Sequence, residues 1–507
     1  MKKRRFPFNL ICKKPDSEMN DLEKHFAKFR ENIIGNKASY STPYGTKEVV
    51  YADWIASGRL YGPIEDKMKN VFGPFVANTH TETSETGTRM TRSYHEAVKR
   101  IKQHVNAGPN DVYIQAGFGM TAVINKFQRI LGLKGCGALN SRPCLKDMDK
   151  PVVFITHMEH HSNQTSWYET NVDVVVLEPN ADMMVNPEEL RKQLDKYKDR
   201  KFKIGSFTAA SNVTGVKTNY HELARIMHEN NGVCFIDFAA SAPYVDINMH
   251  PEDPMEKLDA IYFSPHKFLG GPGTAGVLIF DASLYNSKAP DNPGGGTVDW
   301  TNRWGEYKYI DNIEAREDGG TPGFLQAIRT ALSIELKEQM GTDKMEAREK
   351  ELIELALNEL GKVDGVRILA DKIVDRIGAV SFYIQPIHYN LMVKLLSDKF
   401  GIQVRGGCAC AGTYGHFLLD VDYETSQDIT KRINTGDLST KPGWIRWSIH
   451  PTTTDKEVID FANAVKQIAE NYTEWINDYD YVTHKNEYVH KQDVGDMNKE
   501  IDEWFTL

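Results

Sequence analysis

The sequence predicts an α/β fold: a mostly parallel sheet with helices on both faces, followed by a smaller α+β unit. Three observations carry this. Short apolar runs alternate with helical patterns between residues 152 and 280, and strands separated by helices read as parallel βαβ units. A long helical pattern from Pro322 continues past Gly341 and Thr342 into a mixture of short strands and helices. Four polar residues, His160, Asn212, Asp237 and Lys267, follow predicted strands. In open parallel sheets ligands bind at the carboxyl ends of the strands.

Residues 18–35 pattern as an amphipathic helix through Leu22, Phe26, Phe29, Ile33 and Ile34. The stretch 49–58 reads as a strand running into a loop, and 84–105 as a helix with Tyr94, Val98, Ile101 and Val105 on one face. Strands are expected at 152–155, 172–177, 203–207 and 233–238, with helices at 186–198 and 220–229. Pro187 in a first turn with acids close behind is a helix start. Strands at 258–263 and 275–280 flank the glycine-rich turn that carries Lys267. Helices at 322–341 and 344–360 lead to strands near 366–370, 378–384, 402–405 and 444–449 and helices at 388–399 and 454–476. The expected division is an N-terminal extension with its helix (1–48), a large domain (49–340), a small C-terminal domain (341–476) and a polar, acidic, aromatic tail (477–507) that wraps the surface or is partly disordered.

Composition narrows the function classes. The 507 residues are 40% hydrophobic and 26% charged, as in an ordinary globular protein of more than one domain. A net charge of −9 argues against nucleic acid or an anionic membrane as partner. No apolar run approaches the ~20 residues that span a bilayer. The basic start, with its short apolar run broken by Pro7 and Asn9, reads as a flexible tail rather than a signal peptide. A mitochondrial presequence is the weaker alternative. Six cysteines in so long a chain make no disulfide framework, so a cytoplasmic location is expected.

Lys267 stands at the head of the site. An amine drawn in beside a core strand has a lowered pKa and becomes a nucleophile suited to a Schiff base; the plain alternative is a strand-end lysine reaching water. Gly117-Phe-Gly-Met-Thr121 before an apolar helix offers amides and a helix dipole to an anion. Phosphate cradle, strand-end carboxylate (Asp237), histidine (His160) and lysine together are what pyridoxal 5'-phosphate requires.

These residues also carry a resemblance. Met158-Glu-His-His-Ser-Asn163, Ser211-Asn-Val-Thr-Gly215, Asp237-Phe-Ala-Ala240, Ser264-Pro-His-Lys267, Gly319-Gly-Thr-Pro322, Arg405-Gly-Gly-Cys-Ala-Cys-Ala411 and Arg446-Trp-Ser-Ile449 occur in this order. Over residues 49–466 the chain resembles the class V aminotransferase family of fold-type I pyridoxal-phosphate enzymes, in its cysteine desulfurase and selenocysteine lyase branch. The resemblance implies a mainly parallel seven-stranded sheet in the large domain, and the following roles. Lys267 holds the cofactor and moves the α-proton. His160 stacks on its ring and assists proton transfer as a catalytic residue, Asp237 binds the ring nitrogen, and Asn212 approaches the 3-oxygen. Thr121, Ser264 and His266, with the amides near Gly119 and Met120, take the phosphate. Thr321 reaches the phosphate of the neighbouring subunit, implying a homodimer with shared sites. Arg446, with Asn163 and Ser57, binds the substrate, L-cysteine or a related amino acid.

Alignment on Arg405, Gly407 and Ala411 puts Cys410, not Cys408, at the sulfur-accepting position. The implied activity converts L-cysteine to L-alanine, passing sulfur as a persulfide to Cys410 and on to a thiol acceptor, a sulfur-acceptor protein among the candidates. The alternative keeps the cofactor in an aminotransferase, C–S lyase, selenocysteine lyase or epimerase, with Cys410 structural. A non-catalytic scaffold on the same fold is a third reading. Cys408, Cys410 and His416 as metal ligands lack a second cysteine pair, so no metal is expected. The chain departs from the pattern at Ala240, where the branch has glutamine, and at Pro265. It also carries an insertion, 414–441, between Cys410 and Arg446.

Overall fold

The computed structural model describes residues 19–79, 81–134, 150–492 and 497–507. The basic start lies outside the described residues, as do Cys12, Cys136 and Cys144. The largest sheet has seven strands: β1 (Asp111–Ala116), β2 (Val152–Thr156), β3 (Asp173–Leu177), β4 (Lys203–Thr208), β5 (Val233–Asp237), β6 (Ala260–Phe263) and β7 (Gly276–Asp281). Their order across the sheet is β1-β7-β6-β5-β4-β2-β3. β7 is antiparallel to both neighbours and all other pairs are parallel. The sequence pattern anticipated six of the seven. β1 escaped it because Asp111 and Gln115 break up an already short run; its place is set by pairing along its full length with β7.

Helices cover both faces, so successive residues of a strand enter two different cores. Val153, Ile155, Phe235 and Leu278 meet Val123, Ile124 and Phe127 of the helix Met120–Ile130 on one side. Phe154, Phe207, Ile236 and Ile279 meet Ile101, Leu194, Met227 and Ile334 on the other. Burial on both faces makes the strands read as unbroken apolar runs. Each large apolar side chain so buried contributes roughly 1.5–3 kcal/mol.

The helix Phe324–Met340 stops at Gly341, whose φ of 80° a residue with a Cβ resists, and the helix Thr342–Leu360 starts on its far side. Beyond it lies an antiparallel sheet of β8 (Val366–Ile368), β9 (Ala379–Ile384), β10 (Arg405–Gly407) and β11 (Trp444–Ser448), in the order β8-β9-β11-β10. It packs on the helices Thr342–Leu360, Tyr389–Phe400 and Asp455–Trp475 through a separate core. There Trp447 stacks on Phe461 with ring centres 3.9 Å apart.

One expectation changes and two regions gain detail. The first helix is Asp21–Arg30, shorter than 18–35, because the chain turns at Gly35 (φ 84°) and Ile33 bridges to Tyr61. The tail contains a hairpin, Tyr479–Val482 paired with Glu487–His490. It is pinned by Tyr479 Oη donating to Asp398 (2.9 Å) and Asn486 Nδ2 donating to Tyr389 Oη (2.6 Å). The insertion holds the helices Gly412–Leu418 and Tyr423–Asn434, the second with no buried residue. Among the described residues no helix is long and apolar enough to cross a membrane.

Candidate active site

A cavity of about 740 Å³ opens beyond the carboxyl ends of β4, β5 and β6, between the two sheets. It is lined by Lys267, Asp237, His160, Asn212, Cys410 and Arg446, with Gly119, Met120, Thr121, Ser264 and His266 at one end. Lys267 closes the short turn Pro265–Lys267 directly after β6. Its amine has no hydrogen-bond or ion-pair partner among the described residues. Loss of water pushes its pKa down to about 8, against the pull of Asp237 and with Arg446 and Arg405 adding to the drop. Part of the population is then neutral and nucleophilic near neutral pH.

Asp237 ends β5 and is buried, which pushes its carboxyl up to about 6 even though Ala239 N–H donates to it (2.7 Å) and Lys267 stands nearby. A cationic N–H brought to this carboxylate would relieve that burial. Beneath it Glu159 is pushed up to about 7 by burial. Glu159 accepts from Thr156 Oγ1 (2.6 Å), Thr208 N (2.9 Å) and Asn163 Nδ2 (2.7 Å), tying the ends of β2 and β4 together. His160 caps the helix His161–Tyr168, its Nδ1 accepting from Ser162 N (3.1 Å). That bond leaves the ring proton on Nε2. Burial first, then Lys267 and other cations, push its pKa down to about 3, so the ring is neutral.

At the far end the helix Met120–Ile130 begins at Gly119 with no side-chain cap. Met120 N–H donates to Ser264 Oγ (2.9 Å), and Thr121 Oγ1 lies 2.6 Å from Ser162 Oγ. A Cβ at Gly119 would come within 3.0 Å of His266 Cε1 and 3.1 Å of Ser264 Oγ, so glycine keeps this end open. A helix start without an N-cap side chain, beside three hydroxyls, offers its positive end to an anion.

Two buried polar atoms of the wall lack partners. Asn212 Nδ2 donates to Ala409 O (2.7 Å), but its Oδ1 has no donor. Arg446 Nη1 donates to Asn212 O (3.2 Å) and Nη2 to Asp53 Oδ1 (2.5 Å), while Nε has no acceptor. These orphans, the unpaired amine, the buried carboxylate and the uncapped helix start together fit pyridoxal phosphate with an amino-acid carboxylate beside it.

Cys410 lines this cavity and Cys408 does not. Ala409 and Cys410 take left-handed φ values of 50° and 58°, a local strain of order 1–3 kcal/mol per residue. Asn212 holds Ala409 O, His161 N–H donates to Cys410 O (2.8 Å), and Gly412 N–H donates to His161 Nε2 (2.9 Å). Arg405 Nη2 lies 3.9 Å from Cys410 Sγ. His416 is engaged elsewhere, its Nδ1 with Gly412 O and Nε2 with Ser426 Oγ.

Three expected site residues stand outside the cavity. Asn163 is fully buried, donating to Glu159 and Ser206 O and accepting from Ser206 and Tyr262. It supports the strand ends from below. Ser57 donates to the carbonyl of its neighbour Gly58 (3.0 Å). Thr321 is exposed beside Asn78. Sequence reasoning passed over Asp53, and it placed Glu159, Ser162 and Arg405 in motifs without giving them a site role. An acid inside the apolar run 49–58 was the available signal for Asp53.

The class-V aminotransferase family model matches residues 50–461. A probable cysteine desulfurase of Halalkalibacterium halodurans is 27% identical over 371 residues, which is 72% of this chain and 84% of that protein. A probable cysteine desulfurase of Staphylococcus aureus is 25% identical over 460 residues, 90% of this chain and 98% of that protein. Among solved structures, the Thermococcus onnurineus cysteine desulfurase superposes with a TM-score of 0.70 at 21% identity, covering 88% of this chain and 98% of that one. The Escherichia coli cysteine desulfurase CsdA gives 0.68 at 22% identity, with the same coverage. A mainly parallel seven-stranded sheet, a lysine after its sixth strand and a family match over most of the length lead to one assignment: this chain belongs to the class-V aminotransferase family and is a pyridoxal-phosphate-dependent enzyme.

Proposed function

We propose that the protein is a cysteine desulfurase that takes the sulfur of L-cysteine onto Cys410 as a persulfide, releases L-alanine and passes the sulfur to a thiol acceptor. The observation that carries this reading is the placement of Cys410 in the same cavity as Lys267, Asp237 and Arg446, on a loop pinned by Asn212 and His161. Relatives named probable cysteine desulfurase support it.

Pyridoxal phosphate, when bound, supplies an aldehyde and an electron-withdrawing ring that makes the α-proton of an amino acid removable. Lys267 Nζ would hold the aldehyde and would take and return the proton at the substrate Cα. Asp237 would partner the ring nitrogen, the neutral His160 ring would pack on the cofactor, and Asn212 Oδ1 would accept from its hydroxyl. Thr121, Ser264, His266 and the amides at Gly119 and Met120 would hold the phosphate. Arg446 offers its free Nε to the substrate carboxylate, a charge-assisted bond. Cys410 Sγ attacks the substrate sulfur, the C–S bond breaks, and its electron pair stays with the carbon skeleton, which is protonated and leaves as alanine.

The working unit in this reading is a homodimer, in which Thr321 reaches the partner's phosphate site. Phe118 at the cavity rim is 89% exposed, and Trp304 on the hairpin Val298–Thr301/Tyr307–Tyr309 is 75% exposed. These two exposed aromatics are the positions at which a covering partner would be felt. A cytoplasmic location is part of the same proposal.

The test is to incubate the holoenzyme with L-cysteine and quantify alanine against sulfide. Cys410→Ala is expected to lower alanine formation by at least ~100-fold, and Cys408→Ala to leave first-turnover alanine near wild type. Alanine at the wild-type rate from Cys410→Ala removes the persulfide mechanism and returns the site to the family's other reactions.

A further inference from the structure

Cys410 stands in a stretch of wall shared by two cavities. Arg405, Ala409 and Cys410 line both the cofactor cavity and a second, outer cavity of about 770 Å³. The outer cavity lies between this wall, the helix Tyr389–Phe400 and the hairpin Tyr479–Val482/Glu487–His490. Its far side is firmly built. Asn486 is buried and donates to Tyr389 Oη, Asn390 Nδ2 donates to Asn486 O (2.5 Å), and Tyr481 Oη donates to Asn486 Oδ1 (2.8 Å).

Its chemistry differs from that of the whole chain. Four cations, Lys394, Arg405, Lys441 and Lys485, face one carboxylate, Glu487, among its lining residues, in a chain with a net charge of −9. Lys394 is paired with Asp398 (3.1 Å). Lys441 and Lys485 have no ion-pair partner among the described residues, so their charges are available to a ligand. Cys408 also lines this cavity. The volume falls in the range that holds a small molecule.

We propose that the outer cavity is the binding site of the sulfur acceptor, and that the acceptor is a small anionic thiol. This rests on the desulfurase reading of Cys410 and extends it to the second half of the cycle. The thiolate of the acceptor attacks the terminal sulfur of the Cys410 persulfide. An S–S bond forms to the acceptor, the S–S bond at Cys410 breaks, and its electron pair leaves on Cys410 Sγ. Thiol and persulfide exchange places with no net oxidation, and the acceptor's proton ends on Cys410.

The experiment uses the holoenzyme with saturating L-cysteine and two acceptors, glutathione as an anionic thiol and 2-mercaptoethanol as a neutral one. Lys441→Glu combined with Lys485→Glu is expected to raise the KM for glutathione by about 10-fold or more. The KM for 2-mercaptoethanol, and the alanine formed in the first turnover before any acceptor acts, should stay within about 2-fold of wild type. A second measurement is independent of turnover: S-methylglutathione, charged but without a thiol, should slow alkylation of Cys408 in the wild type and not in the double variant. Equal effects on both thiols, no effect on either, or no protection of Cys408 overturns the proposal. A wild type that forms no first-turnover alanine would instead overturn the desulfurase reading on which it rests.

Discussion

Arg446 enters the cavity already committed on two sides. Asp53 takes Nη2, the carbonyl of Asn212 takes Nη1, and only Nε remains for an incoming carboxylate. The guanidinium is thereby held in one plane before substrate arrives, a pre-organisation an ammonium cannot reproduce. Arg446→Lys should lower kcat/KM for L-cysteine by about 30-fold or more, close to 2 kcal/mol, mainly through KM; an unchanged KM would remove Arg446 from substrate binding. Lys267 and Asp237 were legible in the sequence because each follows an apolar strand, and the ends of such strands are where a parallel sheet exposes function. Asp53 was not, because its meaning depends on Arg446, 393 positions away. Asn163 was misread for the same reason: its motif placed it near the site, but only the structure shows its amide facing Glu159, Ser206 and Tyr262.

Among the elements, the helix Thr342–Leu360 carries a buried acid that the chemistry does not use. Glu349 Oε1 accepts from Gly378 N–H (2.9 Å) just before β9, and burial pushes its pKa from 4.5 up to about 8 despite that bond. The folded chain therefore keeps a proton that the unfolded chain has already released. Stability from this group is complete below about 4.5 and is lost as pH rises through about 8. Glu349→Gln keeps an acceptor for Gly378 and removes the titration. Melting temperatures of variant and wild type should agree near pH ~5 and diverge in the variant's favour by pH ~9; parallel curves would show that Glu349 does not carry this dependence. Elements with continuous apolar runs or clear caps were legible: β2 to β7, and the helix Pro187–Lys196 with Asn186 as its cap. β1 and the hairpin Tyr479–Val482/Glu487–His490 were not. Both are short and polar in part, and both are fixed by partners distant in sequence.

For the whole molecule the open question is what covers Phe118 and Trp304. A homodimer should sediment at about twice the 57.5 kDa of the chain. Trp304→Glu should shift it toward monomer and lower turnover together; a monomeric wild type with full activity would dispose of the shared-site arrangement. The family match ends at residue 461, so the hairpin that closes the outer cavity lies beyond it. That position separates two tasks along the chain. Lys267, Asp237 and Arg446 lie inside the matched span, whereas the hairpin residues that line the outer cavity lie beyond it. On the proposed function, substitutions in that hairpin would alter which molecule takes up the sulfur and leave its release from the substrate intact.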